Sequence, residues 1–534
     1  MSEHRLIPVI DLFAGPGGLG EGFSAFAAGK GPPPFRIALS IEMEQWAHQT
    51  LELRSFFRQF PARNVPGEYY DHLRGKLNRS ELFGDFPDEA RAASNEAWRA
   101  ELGVVQPSEV DRRIQSALAG AAGSPWILCG GPPCQAFSMV GRSRNGGIAE
   151  GDLRVYLYKQ YLRILSVHEP PVFIMENVKG LLSSEVNGSE IFDQMLEDLH
   201  HPAKVIRGAQ RAGAKYSLHS VSPKSPPSYL DGHSHCNPDE FIVRCENFGI
   251  PQTRHRVIIL GVREDLLRQE IPILRPFDRT VPASKVLKGL PRLRSGLTRS
   301  ADGKAEWRTA VASILNSNFM RSRRNGAEGH LRDYIARTVY GLRDMQADRG
   351  GEFVPYAASS DFYPEWFLDS RLGGVSNSSS RPHMASDLHR YLFAACYARM
   401  HGRSPELNDF PVDLHPDHRN LNIALSKGYF DDRFRVQVAN RPATTITSHI
   451  AKDGHFFIHY DETQCRSLTV REAARLQTFP DNYYFCGSRT HQYRQVGNAV
   501  PPLLARQIAD IVLQIFKGRK AALGTQLPRE EAPL

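Results

Sequence analysis

An open α/β sheet is the fold this sequence predicts, and three stretches carry the prediction. The first is Pro8-Val9-Ile10-Asp11-Leu12-Phe13-Ala14-Gly15-Pro16-Gly17-Gly18-Leu19-Gly20. It is an apolar run that breaks into a glycine-rich turn and resumes with Leu19, Phe23 and Phe26 at helical spacing. The second, Arg36-Ile37-Ala38-Leu39-Ser40-Ile41, ends in Glu42. The third, Trp126-Ile127-Leu128-Cys129, stops at Gly130-Gly131-Pro132-Pro133-Cys134-Gln135. Ligands of such sheets gather at the carboxyl ends of the strands, where all three stretches place their polar residues.

The strand–turn–helix at the amino terminus lets a backbone approach a nucleotide-like ligand closely. Dinucleotide, phosphate and adenosyl-methionine sites all use this geometry; a Walker site is excluded because no Lys-Ser or Lys-Thr closes the turn. Glu42, 27 residues after Gly15, is placed to accept both hydroxyls of a ribose. Residues 54–124 read as an insertion of mixed charged and apolar helical character. Strands follow at 126–129, 172–175, 241–244 and 257–261, with a helix near 154–167. The stretch 217–239, rich in Ser, Pro and His, reads as a surface loop or insertion. From 264 to 440 the strand–helix rhythm is lost, and that block carries 22 arginines against four lysines. Helices at 470–477 and 499–516 then return to the first domain. Two prolines stiffen the loop that carries Cys134, which suits a nucleophile but equally an inert thiol.

Taken in order, these segments resemble the DNA cytosine-5 methyltransferase family, of the bacterial restriction-modification type. Asp11-Leu12-Phe13-Ala14-Gly15 with Gly17-Gly18 is similar to its cofactor loop, and Pro132-Pro133-Cys134-Gln135 with Phe137-Ser138 to its nucleophile loop. Glu176-Asn177-Val178 is similar to its acid motif, and Gln252-Thr253-Arg254-His255-Arg256 to its Gln-x-Arg-x-Arg. The run from Arg471 to Asp481, with Gly497-Asn498-Ala499-Val500, matches the last two blocks. The resemblance implies a Rossmann-like sheet dependent on S-adenosyl-L-methionine, with a second, smaller target-recognition domain of mixed or irregular structure. The domains expected are a catalytic one over 1–263, a recognition domain over 264–440, and closing motifs over 441–534.

It also implies roles. Cytosine carbon 5 is a poor nucleophile until a thiolate adds at carbon 6, and Cys134 is that thiolate. Glu176 protonates or hydrogen-bonds ring nitrogen 3, which requires a glutamate that holds a proton near neutral pH. Arg256, with Arg254 beside it, holds the carbonyl oxygen of the base. The cofactor falls to Asp11, Phe13, Gly15, Gly17, Glu42, Met43, Pro133, Leu157 and Asn498, with Asp111 a candidate for the adenine amino group. The target base must be swung out of the duplex. The loop 135–148 closes over the DNA, with Gln135, Ser138, Arg142 and Arg144 as its contacts, and arginines of the 264–440 block suit guanine edges.

Departures from the family pattern are Met43, where an aromatic is common, and Ala499, where a serine is usual. A net charge of +8 favours a polyanionic partner, here double-stranded DNA. Seven scattered cysteines suit a reducing cytoplasm rather than a disulfide scaffold. Neither a membrane span nor a stable protein partner is expected, and the chain reads as a monomer. His233, His235, Cys236 and Cys245 have possible zinc spacing, but no metal is expected. His383, His389, His415 and His418 read as solvent-facing or DNA-facing, and Arg321, Arg323 and Arg324 as phosphate contacts or a solvated loop. A tRNA-type cytosine-5 methyltransferase and a catalytically silent DNA-binding homologue are the alternatives. The first typically has a much smaller recognition region; the second needs a broken motif, and Cys134, Glu176 and Arg256 are intact.

Overall fold

The computed structural model describes residues 6–28, 31–61, 64–120, 124–133, 153–183, 185–186, 189–207, 213–223, 237–267, 270–299, 301–322, 327–344, 347–417 and 432–518. Its centre is one sheet built from β1 (Ile7–Leu12), β2 (Phe35–Glu42), β3 (Ala97–Arg99), β4 (Ile127–Gly130), β5 (Val172–Val178), β6 (Tyr216–Ser220), β7 (Ile242–Arg244) and β8 (His255–Arg263). The spatial order is β3-β2-β1-β4-β5-β8-β6, with β7 also pairing β8. Strands β3 to β5 run parallel, whereas β8 is antiparallel to β5, β6 and β7.

The central strands are apolar throughout because both faces are covered. Val9, Ile127 and Ile174 point to one face, where they meet Phe23, Leu504 and Ile508. Ile10, Leu128 and Phe173 point to the other, onto Tyr161, Leu165 and Ile114. The first helices in chain order are α1 (Gly18–Ser24), α2 (Gln45–Arg58), α3 (Gly67–Leu73), α4 (Arg79–Asp85), α5 (Pro87–Glu96), α6 (Pro107–Ala119) and α7 (Leu153–His168), of which α1, α6 and α7 contribute to these layers. Further along come α8 (Lys304–Ala312), α9 (Ala327–Gly341), α10 (Ala385–His401), α11 (Val470–Leu476), α12 (Arg489–Asn498) and α13 (Pro502–Lys517). The returning helix α13 lies against α1 so closely that a β-carbon at Gly22 would stand 2.4 Å from that of Ala505. Only glycine permits that approach.

Beyond the sheet, α8, α9 and α10 share a core of Trp307, Ile335, Tyr391 and Leu392 with Phe434 and Ile458. A separate core joins Val286, Leu287, Phe367 and Val375 to Ile446, Leu468, Phe479 and Tyr493. The block 264–440 thus combines the helices α8, α9 and α10 with short strands and irregular segments.

Two expectations are corrected. The 217–239 stretch is not loop throughout, since Tyr216–Ser220 is the edge strand β6. Tyr216 and Leu218 alternate with polar residues there, a period-2 signal cut short by the Ser/Pro-rich text that follows. His383 is 4% exposed rather than solvent-facing, and its imidazole contacts Ser467 Oγ and the Tyr391 hydroxyl. His418, Arg323, Arg324, His233, His235 and Cys236 lie outside the described residues. Among the described residues no His/Cys/Asp/Glu group is arranged to hold a metal ion. The stretch Arg489–Lys517 has the length and hydropathy of a membrane span. It is, however, the α12–α13 pair, with 67% of its most apolar window buried in the protein.

Candidate active site

The carboxyl ends of β1, β2, β4 and β5 lie side by side, with Leu12 opposite both Ile41 and Gly130, and Gly130 opposite Met175. On the cofactor side, Gly15 and Gly17 adopt left-handed backbone (φ 57° and 92°), as does Phe13 (φ 54°). Glu42 closes the end of β2. Its Oε2 accepts the Gly15 amide at 2.8 Å and its Oε1 the Glu44 amide at 2.7 Å. Burial raises its carboxyl above the usual range, against the pull of those two amides. The glycine turn is held from behind by the Tyr483 hydroxyl, which donates to Pro16 O. Asp11 is 1% exposed and neither oxygen makes a hydrogen bond of normal geometry. Burial pushes its carboxyl up to about 7, opposed by the Gly20 amide and the charge of Arg58. Met43 stands 51% exposed beside this turn, and Asn498, the last residue of α12, is exposed. Leu157 is half-buried on α7, and Pro133 half-buried at the exit from β4.

Glu176 and Arg256 face each other from antiparallel β5 and β8. Arg256 Nε stands 2.8 Å from Glu176 Oε1, and each side chain is 12% exposed. The other carboxylate oxygen turns to the β4 exit, where a β-carbon on Gly131 would lie 2.8 Å from Glu176 Oε2. Asn177, 4% exposed, donates its side-chain amide to Pro132 O at 3.4 Å. The chain leading to Cys134 is thus tied to both residues of the acid motif. Cys134, Gln135, Ser138, Arg142 and Arg144 themselves lie outside the described residues.

Arg254, two residues before Arg256, points the other way. It is fully buried and donates to Ile446 O (2.7 Å), Ala499 O (2.8 Å) and Gly497 O (3.2 Å). Among the described residues no carboxylate pairs with it, and burial together with Arg256 draws its guanidinium down to about 9. Arg254 lies just ahead of β8 rather than within it, so the alternation that sets residues i and i+2 on one face does not reach it. Asp111 is also engaged elsewhere, its carboxylate accepting from Arg163 at 2.9 Å and meeting His168 Nε2 at 2.8 Å. Two residues past the end of β3, whose Arg99 pairs with Glu42, stands an exposed residue the sequence reading missed, Glu101. The strand that delivers it is three residues long inside a helical insertion, too short for a period-2 signal.

A profile of the C-5 cytosine-specific DNA methylase family matches residues 110–202 and 239–514. A type II methyltransferase of Bacillus paralicheniformis is 30% identical over 527 residues, covering 96% of this chain and 99% of the relative. A type II methyltransferase of Thalassovita gelatinovora is 25% identical, covering 94% and 98%. A DNA (cytosine-5-)-methyltransferase of Aeropyrum pernix is 25% identical, covering 95% and 98%. The ordered motifs and the matches over nearly the whole length agree, and the chain belongs to the C-5 cytosine-specific DNA methylase family as a DNA (cytosine-5)-methyltransferase.

Proposed function

We propose that Cys134, Glu176 and Arg256 carry the methylation of a cytosine flipped out of a specific sequence in double-stranded DNA. The observation that supports this most directly is the Glu176–Arg256 pair at 2.8 Å, set against the Gly131–Pro132 exit that leads to Cys134. In this reading the Cys134 thiolate adds to carbon 6 of the base and makes carbon 5 nucleophilic. Glu176 hydrogen-bonds ring nitrogen 3 and Arg256 the neighbouring carbonyl oxygen, so that charge developing on the ring meets fixed donors. The carbon 5 proton leaves after methylation, and the thiolate is then eliminated. Arg254, turned into the core, acts by positioning β8 rather than by touching the base.

The cofactor edge fits S-adenosyl-L-methionine. Each Glu42 oxygen holds one backbone amide and keeps lone-pair capacity for a ribose hydroxyl. The left-handed turn Phe13–Gly17 brings backbone amides to the same edge, with Asp11 behind it and Pro133, Leu157 and Asn498 around it. Exposed Met43 offers a polarizable face to an adenine ring, and Glu101 replaces Asp111 as the candidate for its amino group. Bound there, the cofactor supplies the electrophilic methyl group.

The loop residues Gln135, Ser138, Arg142 and Arg144 contact DNA, and the 264–440 block reads its sequence. The relatives' name, type II methyltransferase, supports the further reading that this chain is the modification half of a restriction-modification system. It would act there as a cytoplasmic monomer.

The test uses the full-length enzyme, first with bisulfite sequencing of DNA from expressing cells to find the site. Duplex carrying 5-fluorocytosine at that site then traps the adduct, because fluorine cannot leave as a proton does. A covalent enzyme–DNA species is expected with the native chain and absent with Cys134→Ser; a persisting adduct removes Cys134 from its role. Exchanging residues 264–440 for the same block of a relative should change the methylated sequence, and an active chimera with an unchanged site refutes the recognition assignment.

A further inference from the structure

Apart from Glu101, β3 and α6, the insertion 54–124 has no part in the chemistry or the sheet described above, yet its remaining residues are built into the protein at two places. It is rooted in the cofactor edge, because α2 starts at Glu44, whose side chain caps the helix by accepting from Ala47 N at 2.7 Å. At its other side it grips the 264–440 block. Phe56, Tyr69, Tyr70, Leu73 and Leu82 form one apolar core with Leu372, which is 1% exposed.

Polar contacts frame that core. The Tyr70 hydroxyl donates to Asp369 Oδ2 at 2.8 Å, and the Asn482 side-chain amide donates to the same oxygen at 2.8 Å. Arg74 donates through Nε to Leu372 O at 3.2 Å and through Nη2 to Arg371 O. Arg371 reciprocates by donating to Val65 O, and its guanidinium lies 4.7 Å from the centre of the Tyr70 ring. The link continues to the glycine-turn helix: Asn482 Oδ1 accepts from Arg54 at 3.1 Å, and Arg54 pairs with Glu21 of α1 at 2.5 Å. Immediately beyond, Ser376 O accepts from Arg471 Nε at 3.1 Å and Asn377 O from Arg471 N at 3.0 Å. Residues 369–377 are therefore held from the insertion on one side and from α11 on the other.

We propose that the insertion is a brace that sets the position of the 264–440 block over the catalytic sheet, with Tyr70 and Arg74 as positioning residues for DNA reading. This rests on the assignment of sequence recognition to that block. Domains in one chain move relative to one another unless a large apolar interface prevents it. A reading surface that is already placed loses less freedom when DNA docks, and it penalises a wrong base more sharply than one that can shift.

The experiment compares Tyr70→Phe, Arg74→Ala and the double variant with the native enzyme, all full-length. Four quantities are measured: hydrogen exchange over 369–377, Kd for the site found by bisulfite sequencing and for a duplex with one altered base pair, cofactor Kd, and single-turnover rate at saturating DNA. Faster exchange over 369–377 is expected, with protection of β1 and β4 retained. Cognate affinity should fall about tenfold in the double variant and discrimination between the duplexes should narrow. Cofactor Kd and the saturated rate should stay as in the native enzyme. Unchanged exchange overturns the brace. Faster exchange with native affinity and discrimination overturns its role in reading, and so does a saturated rate that falls as far as the affinity. Tyr70→Phe, which loses one hydroxyl and keeps the ring, serves if Arg74→Ala does not fold. The block exchange described above reads the recognition assignment separately, since exchange over 369–377 does not depend on which residues touch DNA.

Discussion

Gly131 and Glu176 meet across the β4–β5 edge with so little room that a β-carbon on the glycine would stand 2.8 Å from the carboxylate Oε2. The opposite oxygen faces Arg256 at 2.8 Å. The acid of the site is therefore enclosed between a backbone and a guanidinium, and the same backbone leads to Cys134. Under the proposed roles, a shift of this backbone would disturb the acid and the segment leading to the thiol together.

Gly131→Ala tests that coupling. The added methyl must displace the carboxylate or the loop, and a misplacement near 1 Å costs about 10²-fold in rate. The single-turnover rate should fall by roughly that factor, with cofactor Kd unchanged. A native rate would show that the loop and the acid adjust independently.

Glu176→Gln keeps a hydrogen-bond donor of the same shape and removes the transferable proton. Turnover should drop by about 10²- to 10⁴-fold. DNA affinity should change much less, because phosphate contacts elsewhere supply most of it. Rate and melting temperature are to be measured on one preparation: a lower melting temperature with native turnover would mark Glu176 as structural.

Glu42→Ala removes the acceptor of the Gly15 and Glu44 amides together with the proposed ribose contact. Losing hydrogen bonds to a charged group costs about 1.5–3 kcal/mol, so cofactor Kd should rise between about tenfold and a hundredfold. Calorimetric titration with S-adenosyl-L-homocysteine reads this without turnover. Unaltered affinity would leave Glu42 with the turn alone.

Asp11 predicts a pH dependence of stability. Its carboxyl sits at about 7 in the fold against an ordinary 3.8. Between these values the folded state holds a proton that the unfolded chain releases, so its contribution is full at low pH and is lost as pH rises through about 7. Asp11→Asn removes the dependence. The melting temperature of the variant relative to the native chain should therefore climb from about pH 4 to about pH 7 and level off above that. A constant or falling difference refutes a raised Asp11.

Much of the site was legible because its determinants are local. Glycines at 15 and 17 announce a turn that other residues strain to adopt, and an apolar run ending in an acid places Glu42 at a strand end. The order of motifs then names the chemistry without any contact being known. Edge elements were less legible: β3 and β6 are too short for their periodicity to stand out from the charged or Ser/Pro-rich text around them.

What the sequence determined by itself is the family and the sheet whose edge presents the proposed groups, since turn chemistry and apolar periodicity act over a few residues. What the tertiary structure alone decided is which neighbour each charged group finds. Arg254 and Arg256 occupy matching positions in one motif, yet Arg256 faces Glu176 while Arg254 is spent on three backbone carbonyls in the core. Asp111 and Glu101 lie ten residues apart, yet one is closed off by Arg163 and His168 and the other is left at the sheet edge. Such pairings join segments tens to hundreds of residues apart, and burial makes each of them compulsory, because a charge removed from water must be met by whatever the fold brings beside it.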